Sequence, residues 1–162
     1  MIKAYSKFCD MLLRAYTYIG VALFAVIVVA STVQVFTRYV MQNSLVGTEE
    51  ISRYCFIWAT LLGSCICVSK FTHASVNILN DSLHGAIKDL HSTVIDVAVL
   101  VAAIILLVEG INMIEITMSQ VSNVLRVPMW IVYLSLPVSG FGMAASSIER
   151  ILCRYFVKGG NE

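Results

Sequence analysis

Charged side chains are scarce in this sequence. Of its 162 residues, 13% are Asp, Glu, Lys or Arg and 59% are hydrophobic, whereas an ordinary soluble domain has about 25% and roughly 45–50%. The 11 basic and 10 acidic residues nearly balance, which excludes the basic footprint of a nucleic-acid-binding protein. With only two prolines and no charge-rich tract, long disordered segments are excluded as well. These features indicate a small integral membrane protein.

Groups for enzyme or cofactor chemistry are also missing from the apolar segments. His73, His84 and His91 all fall in one polar connection, whereas the haem ligands of a membrane cytochrome would lie within its helices. Cys65 and Cys67 are two residues apart, so on a helix they point in different directions and form no redox pair. We therefore predict that the protein is not an enzyme and that this chain holds no cofactor or metal.

The uncharged segments predict membrane spans, because a charge at the bilayer centre costs at least about 2.5–3.5 kcal/mol. Between Arg14 and Arg38 lie 23 uncharged residues, and between Arg126 and Glu149 lie 22. At ~1.5 Å per residue, each stretch can cross a hydrocarbon core of about 30 Å. Between them lie two further stretches with shorter uncharged intervals, and we predict an all-α membrane protein with one domain over residues 1–162. Its four transmembrane helices are expected at about 14–41, 48–70, 92–117 and 127–155.

The basic residues predict the orientation of these helices. Eight of the 11 lie on the side that carries both termini, and an excess of Lys and Arg marks the cytoplasmic side of a membrane protein. Both termini are therefore predicted to be cytoplasmic. The eight residues are Lys3, Lys7, Arg14, Lys70, Lys88, Arg150, Arg154 and Lys158.

The connection between the second and third spans has helical spacing. Leu79, Leu83, Ile87 and Leu90 recur every three or four residues, with polar residues between them. This pattern predicts an amphipathic helix along the cytoplasmic interface. An ordinary polar loop is the alternative interpretation.

Two acidic residues of the third span are too close together to flank it. Only 12 residues separate Asp96 from Glu109, so at least one of these acids lies inside the membrane. One interpretation is an ion or proton pathway. Structural ion pairing is favoured, because the sequence shows neither an internal repeat nor discontinuous helices. The candidate partners are Arg53 or Arg38 for Glu109, and Lys70 or Arg14 for Asp96.

Small residues and a proline distinguish the fourth span. Gly140 and Ala144 are four residues apart, a spacing that lets helix backbones approach closely. The spacing fits a contact within the chain and a contact with another subunit equally well. Pro137 lacks an amide N–H and predicts a kink near Tyr133.

From the second span onward, the sequence carries a recognisable order of motifs. They are Glu49-Glu50-Ile51-Ser52-Arg53-Tyr54-Cys55-Phe56-Ile57-Trp58, Leu62-Gly63, His73-Ala74-Ser75-Val76-Asn77-Ile78-Leu79, and Pro128-Met129-Trp130-Ile131-Val132-Tyr133 with Pro137. Together with Arg38-Tyr39, this order resembles the small, DctQ-like membrane subunit of TRAP transporters, the tripartite ATP-independent periplasmic transporters. The resemblance covers residues 14 to 150. Asn77 departs from it, because many relatives have Asp there.

The resemblance implies a three-part uptake system in the bacterial inner membrane. In such systems a periplasmic binding protein captures an organic acid, for example a C4-dicarboxylate, a sialic acid or another sugar acid. A large membrane subunit then moves the acid with sodium and holds the substrate and sodium sites. The small subunit is expected to act as a scaffold for the large one.

The same resemblance suggests residues that contact these partners. Glu50 and Arg53 are expected to fix the second span against the large subunit or to dock the binding protein, with Tyr54 and Trp58 at the outer interface. The alternative is an interface-anchoring belt with an intrahelical ion pair. The other candidates for partner contacts are Arg38, Glu49, Arg126, Gly140 and Ala144.

Two other classes of protein remain as alternatives. A four-helix membrane anchor of a redox enzyme is disfavoured because no histidine lies in a span. A small autonomous exporter is disfavoured because the first span has no charged residue and the chain has no repeat.

Overall fold

The described part of the chain is almost entirely helical. The computed structural model describes residues 2–40, 46–80 and 86–158. The helices are α1 (Ile2–Tyr39), α2 (Val46–Asn80), α3 (Ala86–Thr117), α4 (Met129–Tyr133) and α5 (Ser135–Lys158). Four segments are long and apolar enough to cross a membrane, namely Tyr5–Tyr39, Gly47–Ser69, Thr93–Thr117 and Met129–Leu152. The predicted all-α fold with four membrane-spanning helices is confirmed.

Helices α2 and α3 extend into the connection between them. Because α2 continues to Asn80 and α3 begins at Ala86, the predicted separate interfacial helix is wrong for residues 71–80 and 86–91. Residues 81–85, which include His84, lie outside the described residues. Helical spacing of apolar residues indicates a helix but not the direction of its axis. The pattern was therefore compatible with a continuation of the two spans.

Helix α5 lies at the centre of the bundle. It packs against α1, α2 and α3, whereas α2 and α3 barely contact each other. Half of the apolar stretch of the α4–α5 span is buried inside the chain, against none of the corresponding stretch of α1. Small side chains make this central position possible. The small residues buried there include Ser135, Ser139, Gly140, Gly142, Ser146 and Ser147.

Two glycines let α5 approach its neighbours closely. A Cβ atom on Gly140 would lie 3.0 Å from the carbonyl oxygen of Ala103 in α3. On Gly142 it would lie 2.5 Å from the ring of Tyr16 in α1. The small-residue contact is therefore internal, and the predicted role of Gly140 in a partner contact is wrong. Ala144 is half-buried and packs against the same core.

The fourth span is broken where Pro137 predicts a kink. Helix α4 ends at Tyr133 and α5 begins at Ser135, because Pro137 has no N–H to donate to the carbonyl of Tyr133. Helix α3 lies against this kink. A Cβ atom on Gly110 would be 2.7 Å from Cδ of Pro137, so only glycine allows α3 to approach so closely.

Candidate functional site

The segment between α3 and α4 folds back on itself as a short hairpin. Ser122 donates its N–H to the carbonyl of Val127 at 2.9 Å, and Met129 donates its N–H to the carbonyl of Gln120 at 3.0 Å. Arg126 turns the chain with a φ of 51°, a left-handed conformation that is uncommon outside glycine. The hairpin therefore has a defined shape. We call this hairpin and the start of α2, residues 47–54, the loop end of the bundle.

Glu50 connects α2 to the hairpin. Its carboxylate accepts the Leu125 N–H at 2.9 Å and the Tyr54 hydroxyl at 3.2 Å. Gly47, one turn earlier, also approaches the Leu125 side chain, which lies 3.6 Å from where its Cβ would be. Hydrogen bonds to a carboxylate are stronger than those between neutral groups. Glu50 thus positions the hairpin on α2.

Arg53 is an exposed cation of the loop end. Its guanidinium lies 2.9 Å from the Glu49 carboxylate, with 64% of the Arg53 side chain and 57% of the Glu49 side chain exposed. The predicted intrahelical ion pair is therefore formed with Glu49, four residues earlier, rather than with Glu50, because the Glu50 carboxylate is turned to the hairpin. The predicted pair of Arg53 with Glu109 is wrong.

A cleft of about 480 Å³ opens between α2, the hairpin and the kinked fourth span. Its wall presents the Glu50 carboxylate, the Arg53 guanidinium and the Tyr54 ring on the α2 side. Ser122, Asn123 and Tyr133 face them from the hairpin and the fourth span. This mixture of a cation, hydrogen-bonding groups and aromatic surface suits contact with a protein surface.

The remaining predicted residues of this end differ in their surroundings. Arg38, in the last turn of α1, and Arg126, in the hairpin, are both exposed. Trp58 is turned inward: its indole N–H donates to the carbonyl of Ile131 at 3.2 Å and its ring packs against the core. This contact holds the fourth span against α2, and because Trp58 is only partly buried, its contact with a partner stays a prediction.

A buried ion pair lies at the opposite end of the bundle, where α1 and α3 begin and α5 ends. We call this the terminal end. Oδ1 of Asp96 is 3.3 Å from Nε of Arg150, and the Asp96 side chain is only 1% exposed. Arg150 also donates to the carbonyl of Val68 in α2 and to the Ser147 hydroxyl. This one guanidinium therefore links α2, α3 and α5.

The prediction for Asp96 was right about an ion pair and wrong about the partner. Arg150 is one of the basic residues that predict the cytoplasmic side, but it is not among the predicted partners of Asp96. Depth along the helices could have identified it. Asp96 lies three residues inside the Thr93 end of its span, and Arg150 lies two residues inside the Leu152 end of the next. Consecutive spans are antiparallel, so the two residues have nearly equal depths.

Glu109, the second acid of the third span, has different surroundings. It lies on the exposed side of α3. No described basic residue comes within 4 Å of it, whereas Asp96 and Glu49 both have such partners. Arg53, one of its two predicted partners, pairs with Glu49 instead.

The fold defines a class of protein, a multi-pass membrane protein. In the part of the chain that the structure describes, no three or more His, Cys, Asp and Glu residues cluster as a metal site. The sequence profile of the DctQ component of the tripartite ATP-independent periplasmic transporters matches residues 26–156. The chain belongs to this family.

Individual relatives extend the match. A TRAP transporter small permease protein of Haemophilus influenzae is 22% identical, over 88% of this chain and 89% of its own length. The sialic acid TRAP transporter small permease protein SiaQ of Vibrio cholerae is 26% identical, over 82% of this chain and 77% of its own length. The isethionate TRAP transporter permease protein DctMQ of Oleidesulfovibrio alaskensis is 33% identical over 62% of this chain, but this match spans only 16% of the relative's length.

Proposed function

We propose that this chain is the small membrane subunit of a sodium-coupled TRAP transporter that takes up an organic acid across the bacterial inner membrane. The observation that carries the proposal is the family match, which runs from residue 26 to residue 156. It includes the second, third and fourth spans completely and the last 14 residues of the first.

The chain acts in this proposal as a scaffold for a large subunit that contains the substrate and sodium sites. The name of the DctMQ relative supports the association, since it joins an M and a Q component in a permease protein much longer than this chain. The central position of α5 supports a rigid role, because one helix holds the three others through close backbone contacts.

The names of two relatives support the proposed class of substrate. One relative is named for sialic acid and another for isethionate, and both compounds are organic anions. We propose an organic acid of the sugar-acid or C4-dicarboxylate type for this transporter.

The loop end is the proposed docking surface for the periplasmic binding protein. The distribution of basic residues favours both termini in the cytoplasm. The first span then crosses the membrane once before α2 begins, which places the loop end in the periplasm. Arg53 and Arg126 are exposed there, and exposed charges at the rim of an interface steer association.

Reconstitution tests the proposed function. The chain is co-purified with its large subunit, placed in proteoliposomes and supplied with the periplasmic binding protein, an organic acid and an inward sodium gradient. Uptake is expected only with all three proteins and with sodium. Transport by this chain alone would instead support an autonomous exporter. A Soret band in the purified complex would support the redox anchor.

A further inference from the structure

The outward face of α3 is unusual among the apolar surfaces of this subunit. The inner face of the helix is already occupied, since Ala103 and Gly110 are buried against α5 and Asp96 is paired with Arg150. A neighbouring face of the helix points away from the chain. Exposed residues spaced three or four apart form a stripe along it, which we call the α3 stripe: Ala102, Ile105, Glu109, Asn112, Met113 and Ile116.

The α3 stripe carries a carboxylate well inside the apolar segment of the helix. Glu109 lies eight residues inside the Thr117 end of the span, or about 12 Å along the helix. Exposed apolar side chains surround it on this face, with Ile105 56% and Ile116 64% exposed. Ionisable residues within a span normally face protein or water rather than lipid tails. Glu109 therefore needs a neighbour from outside this chain.

Helix α1 provides the contrast. It too has a broad exposed face, with Phe24 65% and Val29 63% exposed. Between Arg14 and Arg38, however, it contains no charged residue. The exposed face of α1 suits lipid, whereas the α3 stripe does not.

We propose that the α3 stripe is the surface on which a transmembrane helix of the large subunit packs, and that this helix presents an Arg or Lys to Glu109. The proposal rests on the proposed function, which supplies a large subunit. Charge complementarity selects the occupant. In a symmetric contact between two copies of this chain, the same face would meet itself and two Glu109 carboxylates would approach each other. Asn112, one turn from Glu109, is available for a further hydrogen bond in the same contact.

Site-specific photo-crosslinking in native membranes tests the position of this surface. A photoreactive residue is placed at Ile105 or Ile116 on the α3 stripe, and at Phe24 or Val29 on α1 as the matched control. Adducts with the large subunit are expected from the two α3 positions and not from the two α1 positions. Adducts from α1 alone would overturn the proposal. So would α3 probes that react only with lipid or with a second copy.

Charge variants test the chemistry of the contact. Glu109→Gln removes the charge but keeps the shape, and it should fold because Glu109 has no ion-pair partner among the described residues. The affinity of the tagged chain for the large subunit is expected to fall by at least about thirtyfold, as when one partner of a buried interfacial charge pair is truncated, so recovery of the large subunit should drop. Glu115→Gln, an exposed acid outside the α3 stripe, should leave recovery unchanged.

The outcomes separate this proposal from the proposed function. If the unmodified chain never co-purifies with a large subunit, the proposed function fails. If it co-purifies, and Glu109→Gln does so equally well, only the assignment of the α3 stripe is overturned.

Discussion

The two ends of the bundle use ion pairs in opposite ways. At the loop end, the Arg53–Glu49 pair is short, at 2.9 Å, and mostly exposed. At the terminal end, the Asp96–Arg150 pair is longer, at 3.3 Å, with only 1% of the Asp96 side chain exposed. Water screens the first pair, so it contributes little to stability despite its shorter distance. Loss of one partner from the second would leave a buried charge without its counterion.

This difference assigns separate tasks to the two ends. The Asp96–Arg150 pair joins helices that are far apart in the sequence, and the Arg150 bond to the Val68 carbonyl adds a third. The terminal end therefore holds the bundle together. Arg53 pairs within its own helix, and its side chain is mostly exposed. This division fits the proposed function, in which one end keeps the bundle rigid and the other docks a soluble protein.

The largest effect is expected from Asp96→Ala at the terminal end. The variant leaves the Arg150 guanidinium in a mostly buried position without its carboxylate, which costs about 3–5 kcal/mol when a buried pair is broken. Unfolding of the purified chain in mild detergent, followed by circular dichroism across a denaturant series, measures the loss. An unfolding midpoint equal to that of the unmodified chain would show that the pair does not stabilise the bundle.

A double variant separates the charge from the space it fills. Asp96→Leu combined with Arg150→Met replaces the pair by apolar side chains, and such replacements are often neutral or stabilising. The double variant is expected to be more stable than Asp96→Ala. If it is less stable, the additional bonds of Arg150 to Val68 and Ser147 matter more than its pairing with Asp96.

Much of the fold could be predicted because a bilayer limits where charge can lie. The uncharged stretch from Arg14 to Arg38 predicted a first membrane-spanning helix, although α1 begins earlier, at Ile2, and the missing N–H of Pro137 predicted the break between α4 and α5. These are local properties of the sequence. The spacing of Asp96 and Glu109 likewise required an acid inside the membrane, although it did not identify which other helix supplies a partner.

The contacts that could not be predicted join residues distant in the sequence. The bond between Glu50 and the Leu125 N–H depends on the hairpin folding back over α2, and no local pattern encodes that approach. Gly140 and Ala144 had a spacing that fits internal and external contacts alike. The packing of α5 against Ala103 and Leu107 of α3 shows that the contact is internal.

An intermediate effect is expected from Glu50→Ala at the loop end. The variant removes the acceptor of the Leu125 N–H and of the Tyr54 hydroxyl, so the hairpin should loosen while the bundle stays folded. Hydrogen exchange at the Leu125 amide is expected to become faster, because its bond to the carboxylate protects it. Glu49→Ala is the matched control, since Glu49 pairs only with Arg53. Equal exchange rates in the two variants would remove the positioning role of Glu50.

The smallest effect on stability, and a large one on transport, is expected from Arg53→Ala. An exposed pair between residues four apart on a helix contributes only about 0.3–0.5 kcal/mol, so unfolding and recovery of the large subunit should hardly change. Uptake at a fixed concentration of binding protein should fall several-fold, and half-maximal uptake should need more binding protein, because a rim charge acts mainly on association. The matched control is Lys7→Ala, which should leave uptake unchanged. Lys7 is also an exposed cation, but it lies near the start of α1, at the terminal end of the bundle. Loss of the complex in Arg53→Ala would instead assign Arg53 to packing, and normal uptake would show that the loop end docks its partner without this cation.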